Sequence, residues 1–197
     1  MREIQILQYL ISNNSKAFTI REISKNLAIS YKIVYEIIQR LKKEDLLHLE
    51  KIGNSSLVQF NGHFNHKVYQ AERERRDEIL NKNKNLKILH KLFEESDTPF
   101  LIVLLFGSFA KKTNTKASDI DICILSNDKE NNKKISSKIK ILPLEIDLNI
   151  FTTQEFKGML EKKSFNVGQE IMKNNIILEG IENYYKLIGK KEITIKQ

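Results

Sequence analysis

The chain has 197 residues, of which 41% are hydrophobic and 29% are charged. This length fits one ordinary domain or two small ones, and the apolar fraction is enough for a packed core, which excludes a chain that is disordered throughout. The longest apolar run, Phe100 to Phe106, is far shorter than the roughly 20 residues that a membrane helix needs. With the single Cys123 and no signal-peptide pattern at the start, the composition predicts a soluble, cytoplasmic protein without a membrane partner.

Basic residues outnumber acidic ones by 33 to 25, which gives a formal net charge of +8. A positive net charge attracts polyanions over a long range. The balance therefore favours nucleic acid or nucleotide phosphates as partners. A simple abundance of lysine, without functional meaning, is the alternative.

Short helical patterns followed by a hairpin are expected in the first 60 residues. Thr19 has Glu22 three positions later, which is the spacing of a capping box at a helix start. Gly53 and Asn54 permit the positive φ angles of a tight turn between two strand-like runs. The predicted helices follow apolar spacing from residue 4 to 11, from 20 to 27 and from 31 to 43, and the predicted strands cover 46–52 and 56–60.

This order of helices and strands, with the caps and turn residues between them, resembles a winged helix-turn-helix over residues 2–60. In that family the third helix enters the major groove of DNA, where polar side chains reach phosphates and base edges. The resemblance implies that DNA is bound by outward residues of this helix and by the wing: Tyr31, Lys32, Tyr35, Gln39, Arg40 and Lys51. A protein-interaction or dimerisation module with a solvated polar face is the alternative.

The next segment, residues 63–85, is rich in Glu and Arg and is expected to be a helical connector. A helix is predicted over about 66–80 and a second one over about 86–95. A homodimer contact through this segment is an alternative that stays open, although no clean heptad pattern is present.

The most informative stretch begins with the apolar run Phe100 to Phe106, which is typical of a strand buried on both faces. Gly107 and Ser108 follow directly. A glycine at this point permits close backbone approach, and the N–H groups and hydroxyl after it can hold a phosphate. Lys111 and Lys112 add positive charge in the same loop.

Acidic residues come next in a strand context. In the run from Ser118 to Ile122, Asp119 and Asp121 are two positions apart and so lie on one face of a strand. Two adjacent carboxylates repel each other unless a cation lies between them, and Mg²⁺ prefers such oxygen ligands. A further alternating strand, predicted over 144–150, carries Asp147. Three carboxylates can hold two metal ions and activate a hydroxyl for attack on phosphorus.

The combination of Gly107-Ser108, Ser118-Asp119-Ile120-Asp121 and a distant Asp147 resembles the polymerase-β-type nucleotidyltransferases, most closely the minimal ones. The likeness covers residues 86–150 well. It implies that Gly107 and Ser108 bind the triphosphate, together with Lys111, Lys112 and Ser118. It also implies that Asp119, Asp121 and Asp147 ligate two Mg²⁺ ions, with Asp147 acting on the acceptor hydroxyl. One departure is Lys112, which stands where the family often has glycine.

Minimal nucleotidyltransferases resemble the antitoxins that silence a HEPN ribonuclease toxin by adding AMP to a tyrosine. The resemblance therefore favours transfer of AMP from ATP to a partner protein of that kind. Two alternatives stay open: a DNA-binding regulator whose inactive domain senses a nucleotide, and an enzyme that modifies a small compound such as an aminoglycoside.

The sequence as a whole predicts an α+β protein of two domains. We expect a winged helix-turn-helix at 1–62, the helical connector at 63–85, and an α/β nucleotidyltransferase fold with a small mixed sheet at 86–197.

Overall fold

A computed structural model of the protein describes residues 1–53, 55–96, 98, 100–115, 117–162 and 164–189. Asn54 of the predicted hairpin turn and residues 190–197 of the predicted C-terminal domain lie outside this part. Its helices and strands follow the chain in the order α1 Arg2–Ser12, β1 Phe18–Thr19, α2 Ile20–Leu27, α3 Tyr31–Lys43, β2 Leu47–Ile52, β3 Ser55–Phe60, α4 His66–Lys82, α5 Lys84–Glu94, β4 Ile102–Leu105, α6 Gly107–Ala110, β5 Ile120–Leu125, α7 Lys129–Lys140, β6 Ile146–Phe151, α8 Thr153–Glu161, α9 Val167–Lys173, β7 Ile176–Glu179 and α10 Ile181–Ile188.

The chain forms two compact units, one containing Met1–Ala71 and the other Glu72–Leu187. The first unit holds α1, α2 and α3 and an antiparallel sheet in the order β1-β3-β2. The three helices bury the apolar side chains at their helical spacing, such as Leu7, Ile23 and Ile38.

Local chemistry explains where the helices of the first unit begin and end. The Thr19 side chain accepts a hydrogen bond from the Glu22 N–H, while the Glu22 carboxylate accepts one from the Thr19 N–H at 2.7 Å. This is the predicted capping box, and it is confirmed. At the other end, Ala28 adopts a left-handed φ of 52° and ends α2 three residues before α3 begins at Tyr31.

The second unit is built on a four-stranded mixed sheet in the order β6-β5-β4-β7, which confirms the predicted small mixed sheet. Strands β5 and β6 are parallel, whereas β4 is antiparallel to both β5 and β7. All four residues of β4 are buried, which explains the continuous apolar run.

One hydrophobic core holds the second unit together. Helix α5 contributes Leu86, Leu89 and Phe93, and helix α7 contributes Ile135 and Ile139. The strand residues in this cluster alternate along the chain, so one face of each strand packs against the core. In β5 these are Ile120, Ile122 and Ile124, which leaves the position of Asp121 on the opposite face.

A buried polar network joins the second half of α4 to the C-terminal elements of the same unit. The Tyr185 hydroxyl donates to Glu72 Oε1 at 2.7 Å, and Arg75 pairs with the other oxygen of the same carboxylate. Arg75 also donates to the Asn175 carbonyl oxygen at 2.7 Å. Burial raises the pKa of both Tyr184 and Tyr185, so these hydroxyls stay protonated and belong to the core.

No helix among the described residues is long and apolar enough to cross a membrane.

Candidate active site

Gly107 lies against Asp121, and this contact defines the site. Gly107 follows β4 with a φ of +63°, and a Cβ atom at this position would lie only 1.9 Å from Asp121 Oδ2. Both the backbone conformation and the lack of space therefore require glycine. The backbone N–H of Ser108 donates a hydrogen bond to the Asp121 carboxylate. The predicted phosphate loop and the predicted metal ligand are thus in direct contact.

The predicted acids come together at the start of the parallel strand pair. Asp121 and Asp147 are register partners on β5 and β6. Asp119 directly precedes β5 rather than lying within it, because the Ile120 N–H donates to the Glu145 carbonyl at 2.9 Å and opens the ladder there. Asp121 is half-buried, while Asp119 and Asp147 are exposed. The sheet therefore presents one sheltered carboxylate flanked by two that reach solvent.

The pKa of the Asp121 carboxyl is raised above its ordinary value. Desolvation is the largest cause, and the negative charge of Asp147 is the next. The hydrogen bond from the Ser108 N–H lowers the pKa, while Asp119 and Glu170 raise it further through their charges. A carboxylate surrounded by like charges favours a cation beside it, whether a proton or a metal ion.

Glu170, on α9, is a member of the site that the sequence analysis missed. Its carboxylate accepts from Lys111 Nζ at 2.8 Å, so one of the predicted phosphate-binding lysines already has an acidic partner. The two residues are 59 positions apart, and nothing local in the run from Val167 to Lys173 sets Glu170 apart from any surface acid. Only the packing of α9 brings it to the acids.

Lys112 ends the short helix α6 in the left-handed region, with a φ of 57°. The N–H of Lys112 donates to the Phe109 carbonyl at 3.1 Å, and the N–H of Thr113 donates to the Ser108 carbonyl at 3.0 Å. This pair of bonds is the Schellman motif, whose left-handed residue is usually glycine. The family preference for glycine at this place thus has a backbone reason. The side chain of Lys112 pairs with Glu78 at 3.3 Å and is largely exposed.

Ser118, the remaining predicted nucleotide-binding residue, turns toward its own loop. Its hydroxyl accepts from the Thr115 N–H at 2.9 Å. It also lines an open cleft of about 920 Å³ together with Ile120, whose side chain belongs to the core face of β5. The structure therefore does not group Ser118 with the contact between Gly107 and Asp121.

Cys123 is buried in β5, and burial raises the pKa of its thiol to about 12. The thiol is therefore protonated at neutral pH and is not a nucleophile.

Two comparisons with known proteins bear on this part of the chain. Residues 87–177 match the model of the family described as polymerase beta, nucleotidyltransferase. In addition, 89 residues are 34% identical to a protein of Methanocaldococcus jannaschii that is named as a protein adenylyltransferase. That alignment covers 43% of this chain and 63% of the relative, so the chain spans less than two thirds of the relative's length.

Residues 87–177 are therefore similar to a nucleotidyltransferase domain of the polymerase beta type. The matched segment holds Gly107, Asp121, Asp147 and Glu170, and every contact described for them lies within it.

The residues predicted to bind DNA lie in the first unit, mainly on α3. Tyr31 and Tyr35 are 53% and 46% exposed, and their rings stack with centroids 6.4 Å apart. Lys32, Arg40 and the strand residue Lys51 are exposed, and Gln39 is half-buried. Glu36 also lies on this helix, four positions from both Lys32 and Arg40, so the exposed face is not uniformly basic.

The left-handed conformation of Lys112 predicts that glycine is the better residue there. We expect Lys112→Gly to raise the free energy of unfolding by about 0.5–1 kcal/mol, because the positive φ is strained for any residue with a Cβ. Thermal or urea unfolding of the full chain measures this. Lys112→Ala is the matched control, since it removes the same ion pair with Glu78 but keeps the strain. An equal gain in both variants would show that loss of the lysine charge, not the φ angle, is responsible.

The raised pKa of Asp121 predicts a stability cost at neutral pH. A carboxyl with a raised folded-state pKa contributes stability below its unfolded-state pKa, and this stability is lost as the pH rises through the folded-state pKa. Asp121→Asn removes the charge and keeps an oxygen that accepts from Ser108. We expect the variant to melt about 1–3 °C above the parent protein at pH 7.5 in EDTA.

The difference in melting temperature should shrink as the pH falls and the parent carboxyl becomes protonated. Glu145→Gln, which removes an exposed acid at the same edge of the sheet, serves as the control and should change little at either pH. A variant that melts below the parent protein at pH 7.5 would contradict the argument.

Proposed function

We propose that this chain is a Mg²⁺-dependent enzyme that transfers AMP from ATP to a hydroxyl group of a protein. The observation that carries the proposal is the convergence of Asp121, its register partner Asp147 and the backbone of Gly107 at one end of a buried sheet. The match to nucleotidyltransferases supports the reaction, and the relative named as a protein adenylyltransferase supports the nucleotide and the type of acceptor.

The chemistry of the donors fits Mg²⁺. Asp119, Asp121 and Asp147 offer only carboxylate oxygens, which Mg²⁺ prefers. Desolvation and, after it, repulsion from the neighbouring acids raise the pKa of Asp121, and a bound cation would offset both. We propose these three residues as the ligands of two ions. Bound Mg²⁺ supplies charge neutralisation at the phosphates and favours ionisation of the attacking hydroxyl.

Gly107 and Ser108 would bind the β- and γ-phosphates through the backbone. Without a Cβ, Gly107 lets a phosphate oxygen approach the main chain beside Asp121. Lys111 is held by Glu170 and Lys112 by Glu78, both through the ammonium group. An ammonium has three donors, so each lysine can keep its acid and still donate to a phosphate oxygen. We keep Ser118 as a proposed contact of the nucleotide because it lines the cleft described above.

Asp147 is exposed on β6 and would position and deprotonate the acceptor hydroxyl. The hydroxyl oxygen forms a bond to the α-phosphorus, while the bond from that phosphorus to the bridging oxygen breaks and pyrophosphate leaves. The proton of the hydroxyl passes to the Asp147 carboxylate. The half-buried Asp121 is less suited to this role, because the Ser108 N–H and the backbone of Gly107 already surround its carboxylate.

For the first unit we propose a winged helix that binds DNA, with α3 in the major groove and Lys51 at the wing. The helices α2 and α3 are joined by a short turn and are followed by the hairpin β2–β3, the order that this family has. Lys32 and Arg40 would contact phosphates, while Tyr31, Tyr35 and Gln39 would face base edges. We place this domain at 1–62, a connector at 63–85 and the catalytic domain at 86–197.

A DNA-binding domain beside an adenylyltransferase fits an antitoxin that represses its own operon and modifies its toxin. The partner proposed from this resemblance is a HEPN-type ribonuclease with a tyrosine as the acceptor. A nucleotide-sensing regulator without catalysis, or an enzyme for a small hydroxylated compound, are the outcomes that the next experiment distinguishes.

Transfer is measured by incubating the full chain with Mg²⁺ and each α-labelled nucleoside triphosphate, with and without a lysate of the source cells. We expect label from ATP on a protein band, reduced by about 100-fold or more in Asp119→Asn/Asp121→Asn, because those carboxylates hold the metal. Glu145→Gln is the control for loss of an acid at the same edge and should retain transfer. Label on a small compound would show that the acceptor is that compound and not a protein. Nucleotide binding without any transfer would favour the nucleotide-sensing regulator.

DNA binding is measured with labelled duplexes over a series of salt concentrations. We expect Lys32→Ala and Arg40→Ala each to weaken binding by about fivefold to tenfold and to lower the salt slope by about one, since each removes a phosphate contact. Lys133→Ala removes an exposed charge from α7 of the second unit and should change neither quantity. Equal losses in all variants would mean that net charge alone attracts the DNA.

A further inference from the structure

A cluster of three titratable side chains lies in the second unit and plays no part in the proposed reaction. His90 and Glu94 are one turn apart on α5, and Glu179 ends β7. One donor atom from each residue lies within 4.8 Å of the other two. Glu179 pairs with Val103 near the start of β4, whereas Gly107 follows the end of that strand. The cluster and the catalytic acids are therefore at opposite ends of the sheet.

The surroundings of the His90 imidazole define which nitrogen carries hydrogen. Its side chain is only 8% exposed. Nε2 lies 2.8 Å from Glu179 Oε1 and 3.1 Å from the Leu178 carbonyl oxygen, and both of these atoms are acceptors. Nε2 therefore donates, which fixes its hydrogen and the orientation of the ring.

The other nitrogen, Nδ1, faces a carboxylate without a hydrogen bond. Glu94 Oε1 lies 3.6 Å from Nδ1, beyond the range of about 2.7–3.2 Å in which an N–H group binds a carboxylate oxygen. With hydrogen on Nε2, a neutral ring presents a lone pair to this negatively charged oxygen. Two ligands of a tetrahedral zinc ion, each about 2.1 Å from the metal, are separated by about 3.4 Å, which is close to the spacing found here.

We propose that His90 Nδ1 and Glu94 bind a divalent cation of the zinc class, with water completing its coordination. Glu179 is a positioning residue, since it accepts the Nε2 hydrogen and so directs Nδ1 toward the ion. Histidines that bind metals commonly donate their second N–H to a carboxylate or a carbonyl, and His90 has both partners. The imidazole and carboxylate donors favour Zn²⁺, Co²⁺ or Ni²⁺ over Mg²⁺.

The cation balances charge at a contact between a helix and a strand. The two carboxylates carry two negative charges beside a buried ring, which a divalent ion neutralises. The hydrogen bond from His90 on α5 to Glu179 on β7 ties the edge strand of the sheet to this helix, and the ion holds the imidazole in the orientation that makes this bond. The ion is structural and takes no part in nucleotidyl transfer, so the proposal stands or falls independently of the proposed function.

The experiment measures Zn²⁺ binding to the full chain in competition with a chromophoric chelator. The parent carries Asp119→Asn, Asp121→Asn and Asp147→Asn, so that the catalytic acids contribute no binding. We expect saturable binding that is weakened about tenfold or more by Glu94→Gln, and by about 10–100-fold in Glu179→Gln, which loses the orienting carboxylate. Glu95→Gln, an adjacent exposed acid on the same helix end, is the matched control and should bind like the parent.

Glu94 is 56% exposed, so its substitution leaves the core intact, and unfolding curves without metal verify this for each variant. Visible absorption of the Co²⁺ form gives a second readout, since an imidazole ligand and low coordination number intensify the bands. Loss of these bands in His90→Gln supports the assignment. Absence of saturable Zn²⁺ binding, or equal affinity in Glu94→Gln and Glu95→Gln, would overturn it and leave His90 as a hydrogen-bonded core histidine.

Discussion

The close approach of Asp121 to the backbone of Gly107 is the constraint on which the rest of the second unit depends. It arises where β4 ends, because the Phe106 N–H donates to the Asp121 carbonyl at 3.0 Å and closes the ladder between β4 and β5. The same strand β5 pairs in parallel with β6 and so places Asp147 beside Asp121. A shift of one residue in either register would turn the acids toward the hydrophobic core and break the contact of Asp121 with Gly107 or with Asp147. The buried face of the sheet therefore fixes the geometry of its polar end.

This end of the sheet concentrates features that cost stability. Desolvation and like charges raise the pKa of Asp121, and Lys112 holds a backbone angle that suits glycine. Partial compensation comes from the Ser108 N–H at Asp121 and from Lys111 at Glu170. Strain and unbalanced charge in a folded protein persist where the surrounding structure over-determines them, commonly at sites that bind a ligand. Their occurrence together, on a rigid sheet, supports a site built to receive both cations and phosphate.

Much of this arrangement is predictable from the sequence because it is local. The capping box at Thr19, the buried run before Gly107 and the alternation around Asp121 all depend on residues within a few positions of each other. Helix α7 was not predicted, since it is rich in Lys and Asn and its apolar face is reduced to Ile135 and Ile139. Glu170 was missed for a different reason: its place in the site depends on an ion pair with Lys111, which is 59 residues away in the sequence. The left-handed φ of Lys112 likewise follows from the end of a helix that is too short to show any period.

The compact unit that carries the site is longer than the segment that matches the nucleotidyltransferase family, and its contacts explain why. From Glu72 on, α4 supplies groups that the later elements need: its carboxylate accepts from Tyr185, and Arg75 donates to the Asn175 carbonyl next to β7. Glu72 is 1% exposed, so a chain cut at residue 86 would leave the buried Tyr185 hydroxyl without its acceptor. An unsatisfied buried polar group costs about 1–3 kcal/mol, a large fraction of the stability of a domain this size. Strand β7 borders β4, and β4 ends at Gly107, so the second half of α4 supports the strand from which the site begins.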